Sequence, residues 1–136
     1  DCDMISVICG PKGSGKTKEI IGRANEALDV CKGNIVFLTD SPDCSRDVST
    51  AIRYINLRDY GKVTEESLLG FLGGVVASNS DVSKIYLDGL ARLLGMPADD
   101  MEELFIGLED LSENHDVDIC VSVTCDKPPK FLKKYL

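Results

Sequence analysis

The sequence predicts an α/β fold, a single domain over residues 1–136 with a mainly parallel sheet of about five strands. Short apolar runs alternate with segments of helical periodicity, the pattern of strands joined by helical crossovers. Several of those runs, such as residues 34–39 and 117–123, are nearly continuously apolar, which suits strands covered on both faces. No internal repeat and no Gly/Ser/Pro-rich linker divides the chain, and its length suffices for one proper core.

The elements follow in order. Residues 4–9 read as the first strand. Residues 16–30 read as a helix, with Ile20, Ile21, Ala24, Ala27 and Leu28 on one face. Lys32-Gly33-Asn34 is a turn into the second strand, residues 34–39. A polar loop spans 41–47, and the alternation over 52–57 predicts an edge strand. Thr64 has the chemistry of a helix N-cap, with Glu65 and Glu66 in the first turn, where the helix dipole favours acids. That helix runs to about Ser78. Leu68, Leu69, Phe71, Leu72, Val75 and Val76 make it apolar over much of its circumference. A buried helix is the expectation, and an exposed face would mark a partner or a dimer. Residues 83–88 form a short strand ending in an acid. Residues 97–114 read as one helix, with Met101, Leu104, Phe105, Leu108 and Leu111 at helical spacing. Residues 117–123 are the last strand, and 128–135 a short terminal helix.

Composition excludes some functions. The net charge of −8 opposes nucleic acid, and the chain has no tryptophan to stack on bases. The cluster Lys127, Lys130, Lys133 and Lys134 reads as a solvated face, so no direct nucleic-acid binding is expected. No run of 18 apolar residues predicts a membrane span. The start, Asp1-Cys2-Asp3-Met4, lacks the basic-then-apolar pattern of a secretory leader. The six cysteines, at 2, 9, 31, 44, 120 and 125, form no C-x-x-C pair and have no His at zinc spacing. Reduced thiols and a cytoplasmic location are the expectation, with Cys9 and Cys120 as small buried hydrophobes. His115 reads as a helix-end residue.

Between the first strand and the first helix stands Gly10-Pro11-Lys12-Gly13-Ser14-Gly15-Lys16-Thr17, which fits G-x-x-x-x-G-K-[ST]. Glycines at 10, 13 and 15 let the backbone curl so that successive N–H groups face an anion, and the helix behind adds its positive end. Lys16 supplies a point charge for the β- and γ-phosphates, and the Thr17 hydroxyl suits Mg²⁺. Pro11 has no N–H and stiffens the loop entrance. The residues therefore predict a nucleoside triphosphate bound with Mg²⁺, with ATP preferred weakly over GTP because no N-K-x-D-like guanine motif is present.

Such a loop needs an acid from a neighbouring strand end, and Asp88 after Ile85-Tyr86-Leu87 fits that role. Residue 89 is glycine, where many ATPases of the additional-strand type carry a water-polarising glutamate. General-base help contributes about 10²–10⁴-fold, so slow hydrolysis is expected. Asp40 and Asp126 end strands on the same sheet edge and are candidates to replace it. Thr124, or in second place Ser122, is a candidate to position water or touch the γ-phosphate from that strand. Arg46, Arg53, Arg58 and Arg92 are equal candidates for a charge-stabilising arginine.

Gly10–Thr17, the Asp88 strand and the strand after it together resemble the P-loop NTPase superfamily, in particular its RecA-like branch. That resemblance implies a three-layer fold in which the later strand lies between the two motif strands. The chain also resembles, nearly end to end, short stand-alone bacterial P-loop proteins, some of which carry a twitching-motility ATPase label. It implies an ATP-binding protein that is a slow ATPase, a nucleotide-dependent switch or a non-hydrolysing partner-binding module, monomeric or homo-oligomeric. On this reading Lys16, Asp40, Asp88 and Thr124 are the catalytic candidates. Gly10, Lys12, Gly13, Ser14, Gly15, Lys16 and Thr17 hold the phosphates, and Thr17 and Asp88 the metal. The order of elements is similar to the thymidine kinase core as well. There the acidic strand ends in Asp-Glu rather than Asp88-Gly89, and a zinc-binding lasso follows that residues 126–136 do not contain.

Overall fold

In the computed structural model, residues 4–136 are described; Asp1–Asp3, and with them Cys2 and the expectation drawn from the start of the sequence, lie outside the described residues. The chain runs β1 (Ile5–Gly10), α1 (Lys16–Ala27), β2 (Asn34–Thr39), β3 (Arg53–Asn56), α2 (Glu65–Ser78), β4 (Val82–Leu87), α3 (Leu90–Leu94), α4 (Glu102–His115) and β5 (Asp118–Thr124), with short 3₁₀ turns between and a last one at Lys130–Tyr135. The strands form a five-stranded sheet in the order β1-β5-β4-β2-β3, and every pairing is parallel. β5 thus sits between β1 and β4, and β3 is an edge strand as its alternation predicted.

Strand periodicity divides the apolar side chains between two cores. Ile35, Phe37, Tyr86 and Cys120 face α1, where they meet Ile20, Ile21, Ala24 and Ala27. Val36, Leu38, Ile85, Leu87, Ile119 and Val121 belong to the other core, with Leu68 and Leu72 of α2 and Leu104, Phe105 and Leu108 of α4. One face therefore rests on a single helix plus Cys44, Val48 and Ile52 from the loop beyond β2, and the other on three helices and the terminal turn.

Several boundaries differ from the sequence expectation, each for a local reason. α1 stops at Ala27, where Cys31 N–H turns back to the Ala27 carbonyl at 2.8 Å, leaving Val30 81% exposed. The helix expected over 97–114 is broken. Ala98–Asp100 is a 3₁₀ turn, and Met101 (φ −98°, ψ 8°) leaves helical geometry before α4 begins. Met101 is nonetheless fully buried beside Leu104, so the apolar rhythm runs unbroken through a broken backbone. α3 was not expected. It is five residues long and bracketed by left-handed Gly89 and Gly95, too short to show a period. The terminal helix is 3₁₀.

α2 starts as its sequence requires. Thr64 Oγ1 accepts from Ser67 N–H at 3.1 Å, and Ser67 Oγ accepts from Thr64 N–H at 2.8 Å. Its burial is partial: Leu68, Leu72 and Val76 are buried, whereas Leu69, Phe71 and Val75 are half-buried and Gly70, Gly74 and Ala77 exposed. The thiols also depart from expectation. Cys9 is disulfide-bonded to Cys125, with Cα atoms 6.2 Å apart, because parallel pairing sets Gly10 beside Thr124. Cys31, Cys44 and Cys120 are free.

Phe37 is fully buried between sheet and α1 and stacks on Tyr54 at 6.1 Å. Phe37→Ala should lower the unfolding free energy by about 3–5 kcal/mol, measured by urea denaturation. A loss below about 1 kcal/mol would mean that the α1 side is not a packed core.

Candidate functional site

Because all the strands run parallel, their C-terminal ends share one edge, where open α/β sheets bind ligands. β1 delivers Gly10 there, and residues 11–15 loop back into α1. Gly13 (φ 82°) and Gly15 (φ 90°) are left-handed, a conformation costing other residues about 1–2 kcal/mol. A Cβ on Gly10 would come within 2.7 Å of Ser14 Oγ, so any larger residue there would turn the Ser14 hydroxyl away. Ser14 N–H donates to the Pro11 carbonyl at 3.2 Å. The Lys16 ammonium lies inside the curl, 2.8 Å from the same carbonyl and 3.5 Å from Ser14 Oγ.

Asp88, immediately beyond β4, is 2% exposed. Its N–H donates to the Leu38 carbonyl at 2.9 Å, fixing its backbone to β2. Its carboxylate collects short-range donors from four elements. Ser122 Oγ donates to Oδ1 at 2.8 Å, and Thr17 Oγ1 lies 3.2 and 3.3 Å from the two oxygens. Thr39 Oγ1 stands 3.4 Å and the Cys44 thiol 3.9 Å from Oδ2. Ser122 accepts in turn from Gly89 N–H at 2.8 Å. The Cys44 thiol is pushed up from its usual range, first by burial and then by the Asp88 charge.

Asp40, just past β2, receives Arg92 of α3. Nε lies 2.8 Å and Nη2 2.6 Å from Oδ1, and Nη2 is also 3.8 Å from Asp88 Oδ2. The Asp40 hydrogen bond raises the Arg92 pKa above its already high value, so this guanidinium is a permanent cation. It lies over Gly89, where any Cβ would collide with it, and Gly89 itself has φ 76°.

These parts enclose a cleft of about 370 Å³. Lys12, Gly13, Gly15, Lys16 and Thr17 form one wall; Asp88, Gly89, Arg92, Ser122 and Thr124 form the other. A larger cavity of about 590 Å³ lies elsewhere, between α2 and the outer strands, lined by Ile55, Tyr60, Phe71 and Val75 with Arg53 at its rim. Its lining includes none of residues 10–17.

The structure thus joins Thr17 to Asp88 and brings Asp40 beside them through Arg92. Thr124 lines the cleft but is exposed, and Ser122 rather than Thr124 holds the acid. Asp126 is exposed and outside the cleft lining. Of the four candidate arginines only Arg92 lines the cleft. Ser122 had one signal in the sequence, a hydroxyl amid the apolar run Cys120-Val121-Ser122-Val123. Arg92 was one of four equal candidates, and nothing in the sequence singled it out, since its place depends on the unforeseen α3. No protein-family model matches this chain, and no curated protein is significantly similar to it.

Among the described residues, no group of three His, Cys, Asp or Glu side chains is placed to hold a metal ion unaided. A hydroxyl and a carboxylate in contact, Thr17 and Asp88, are a hard oxygen pair of the kind Mg²⁺ uses when phosphates and waters complete its shell. The glycine curl with Lys16 at its centre equally suits a phosphate chain. Gly89→Ala should destabilise the fold by about 1–2 kcal/mol, because alanine resists the left-handed backbone. Thermal or urea melting checks it, and an unchanged midpoint would show that this turn adapts freely.

Proposed function

We propose that this chain is a RecA-like P-loop protein that binds Mg-ATP and acts as a slow ATPase or nucleotide-dependent switch. The observation that carries the reading is the Thr17–Asp88 contact, which unites the phosphate-type loop with an acid 71 residues away. The sheet order supports it, since β5 lies between the strands that carry the loop and the acid.

In this reading Gly13, Ser14, Gly15 and Lys16 offer backbone N–H groups to the phosphates, and Lys12 and Lys16 add charge. Thr17 and Asp88 hold Mg²⁺, which neutralises phosphate charge when bound. Ser122 keeps the Asp88 carboxylate oriented. A loosely bonded phosphoryl transition state asks mainly for positioning and cations, both of which this cleft supplies. Strong water activation is not supplied: Gly89 stands where a glutamate would, and Asp40 is committed to Arg92. Turnover is accordingly slow. Gly89 equally disfavours the kinase alternative, whose base would occupy that position.

Calorimetric titration with Mg-ATP tests the reading directly. Lys16→Ala should weaken binding by roughly tenfold or more, the scale of a lost charge-assisted hydrogen bond. An absence of heat and of any thermal shift at millimolar nucleotide in the unmutated protein would sink it. The same protein should show no micromolar binding to DNA or RNA by fluorescence anisotropy at physiological salt, because the net charge of −8 repels a polyanion. Micromolar binding lost on replacing Lys130, Lys133 and Lys134 with alanine would overturn that expectation.

A further inference from the structure

Arg92 is more than a partner for two acids. Its anchor, the Asp40 side chain, is only 10% exposed, whereas the Arg92 side chain is 51% exposed and forms part of the cleft wall. Nε and Nη2 are both taken by Asp40 Oδ1, which pins the arm of the side chain. Nη1 has no hydrogen-bond acceptor among the described residues, so one edge of a planar, permanently charged fork remains unspent. Gly89 gives this group its room, since a side chain there would displace it.

We propose that Arg92 is the residue by which this site tells a nucleoside triphosphate from a diphosphate, with Asp40 as its positioning residue. The proposal rests on the nucleotide-binding reading above. Its logic is geometric. The N–H groups of the loop and Lys16 belong to the β1–α1 wall, which would cradle the inner phosphates with its N–H groups and reach one side of the terminal phosphate with Lys16. Arg92 belongs to the opposite wall, at the ends of β4 and β2, and meets only what extends across the cleft. In a nucleotide seated on that loop, this is the terminal phosphate. A guanidinium matches a phosphate with two parallel hydrogen bonds, which a lysine does not provide. On the same wall residue 89 is glycine instead of glutamate, so the wall presents a cation to the phosphate and no base to water.

The competing account is structural: Arg92 merely neutralises Asp40 and Asp88, and its loss would weaken folding without preference for either nucleotide. Binding of ADP and of a non-hydrolysable ATP analogue, each with Mg²⁺, separates the two by calorimetry on the unmutated chain, Arg92→Gln and Arg92→Lys. Melting curves establish that each variant is folded. Arg92→Gln should weaken the ATP analogue by roughly tenfold or more and leave ADP within about threefold. Arg92→Lys, which keeps charge and loses the fork, should fall between, and it serves alone if the glutamine variant does not fold. Equal losses for both nucleotides, or no loss for either, would overturn the assignment while leaving the nucleotide site standing. An unmutated protein that binds neither nucleotide would overturn both together.

Discussion

A single buried carboxylate organises this molecule. Burying an unpaired Asp costs several kcal/mol, so Asp88 at 2% exposure persists only with donors around it. Those donors come from β5 through Ser122, from α1 through Thr17 and from the end of β2 through Thr39, with Arg92 of α3 close by. Each of these elements must arrive in register for the acid to be tolerated. The sheet order, the direction of α1 and the left-handed turn at Gly89 all follow the same demand. A group so fully hydrogen-bonded is also oriented, and that makes it useful as well as tolerated.

Much of this was legible in the sequence because it is local. The loop from Gly10 to Thr17 reads from its own residues, since a curl of backbone needs glycine at fixed positions. Asp88 reads as an acid ending an apolar strand. The alternation of strands and helices reads from periodicity. What did not read was adjacency. Ser122 is 34 residues from Asp88 and Arg92 is 52 from Asp40, and no pattern along the chain brings them together. Only the position of β5 beside β4 puts Ser122 under the acid. Thr124 looked the better hydroxyl because it is nearer the strand end, yet strand alternation turns Ser122 the same way at the depth where Asp88 lies.

Backbone breaks hid for a different reason. Side-chain burial and helical hydrogen bonding usually agree, and periodicity reports only the first. At Met101 they part: the side chain stays in the core while the backbone leaves the helix. α3 is the converse, a true helix with too few turns for a rhythm. α2 shows a third case. Its apolar letters predicted burial all round, but Gly70, Gly73 and Gly74 contribute almost no side-chain surface, so the helix covers the sheet with one face and leaves a nearly featureless other.

The Cys9–Cys125 bond has a mechanical consequence. It ties residues separated by 116 positions, so α1, β2, β3, α2, β4, α3, α4 and β5 all lie within one covalently closed ring. Tension applied across the ring would pass from Cys9 straight to Cys125. The strands and helices between the two cysteines would be bypassed, and the load would fall on the pairing of residues 5–8 of β1 with β5. A backbone cut anywhere between the two cysteines would likewise leave the pieces covalently joined, so that a nicked molecule keeps its fragments at high effective concentration and can close up again.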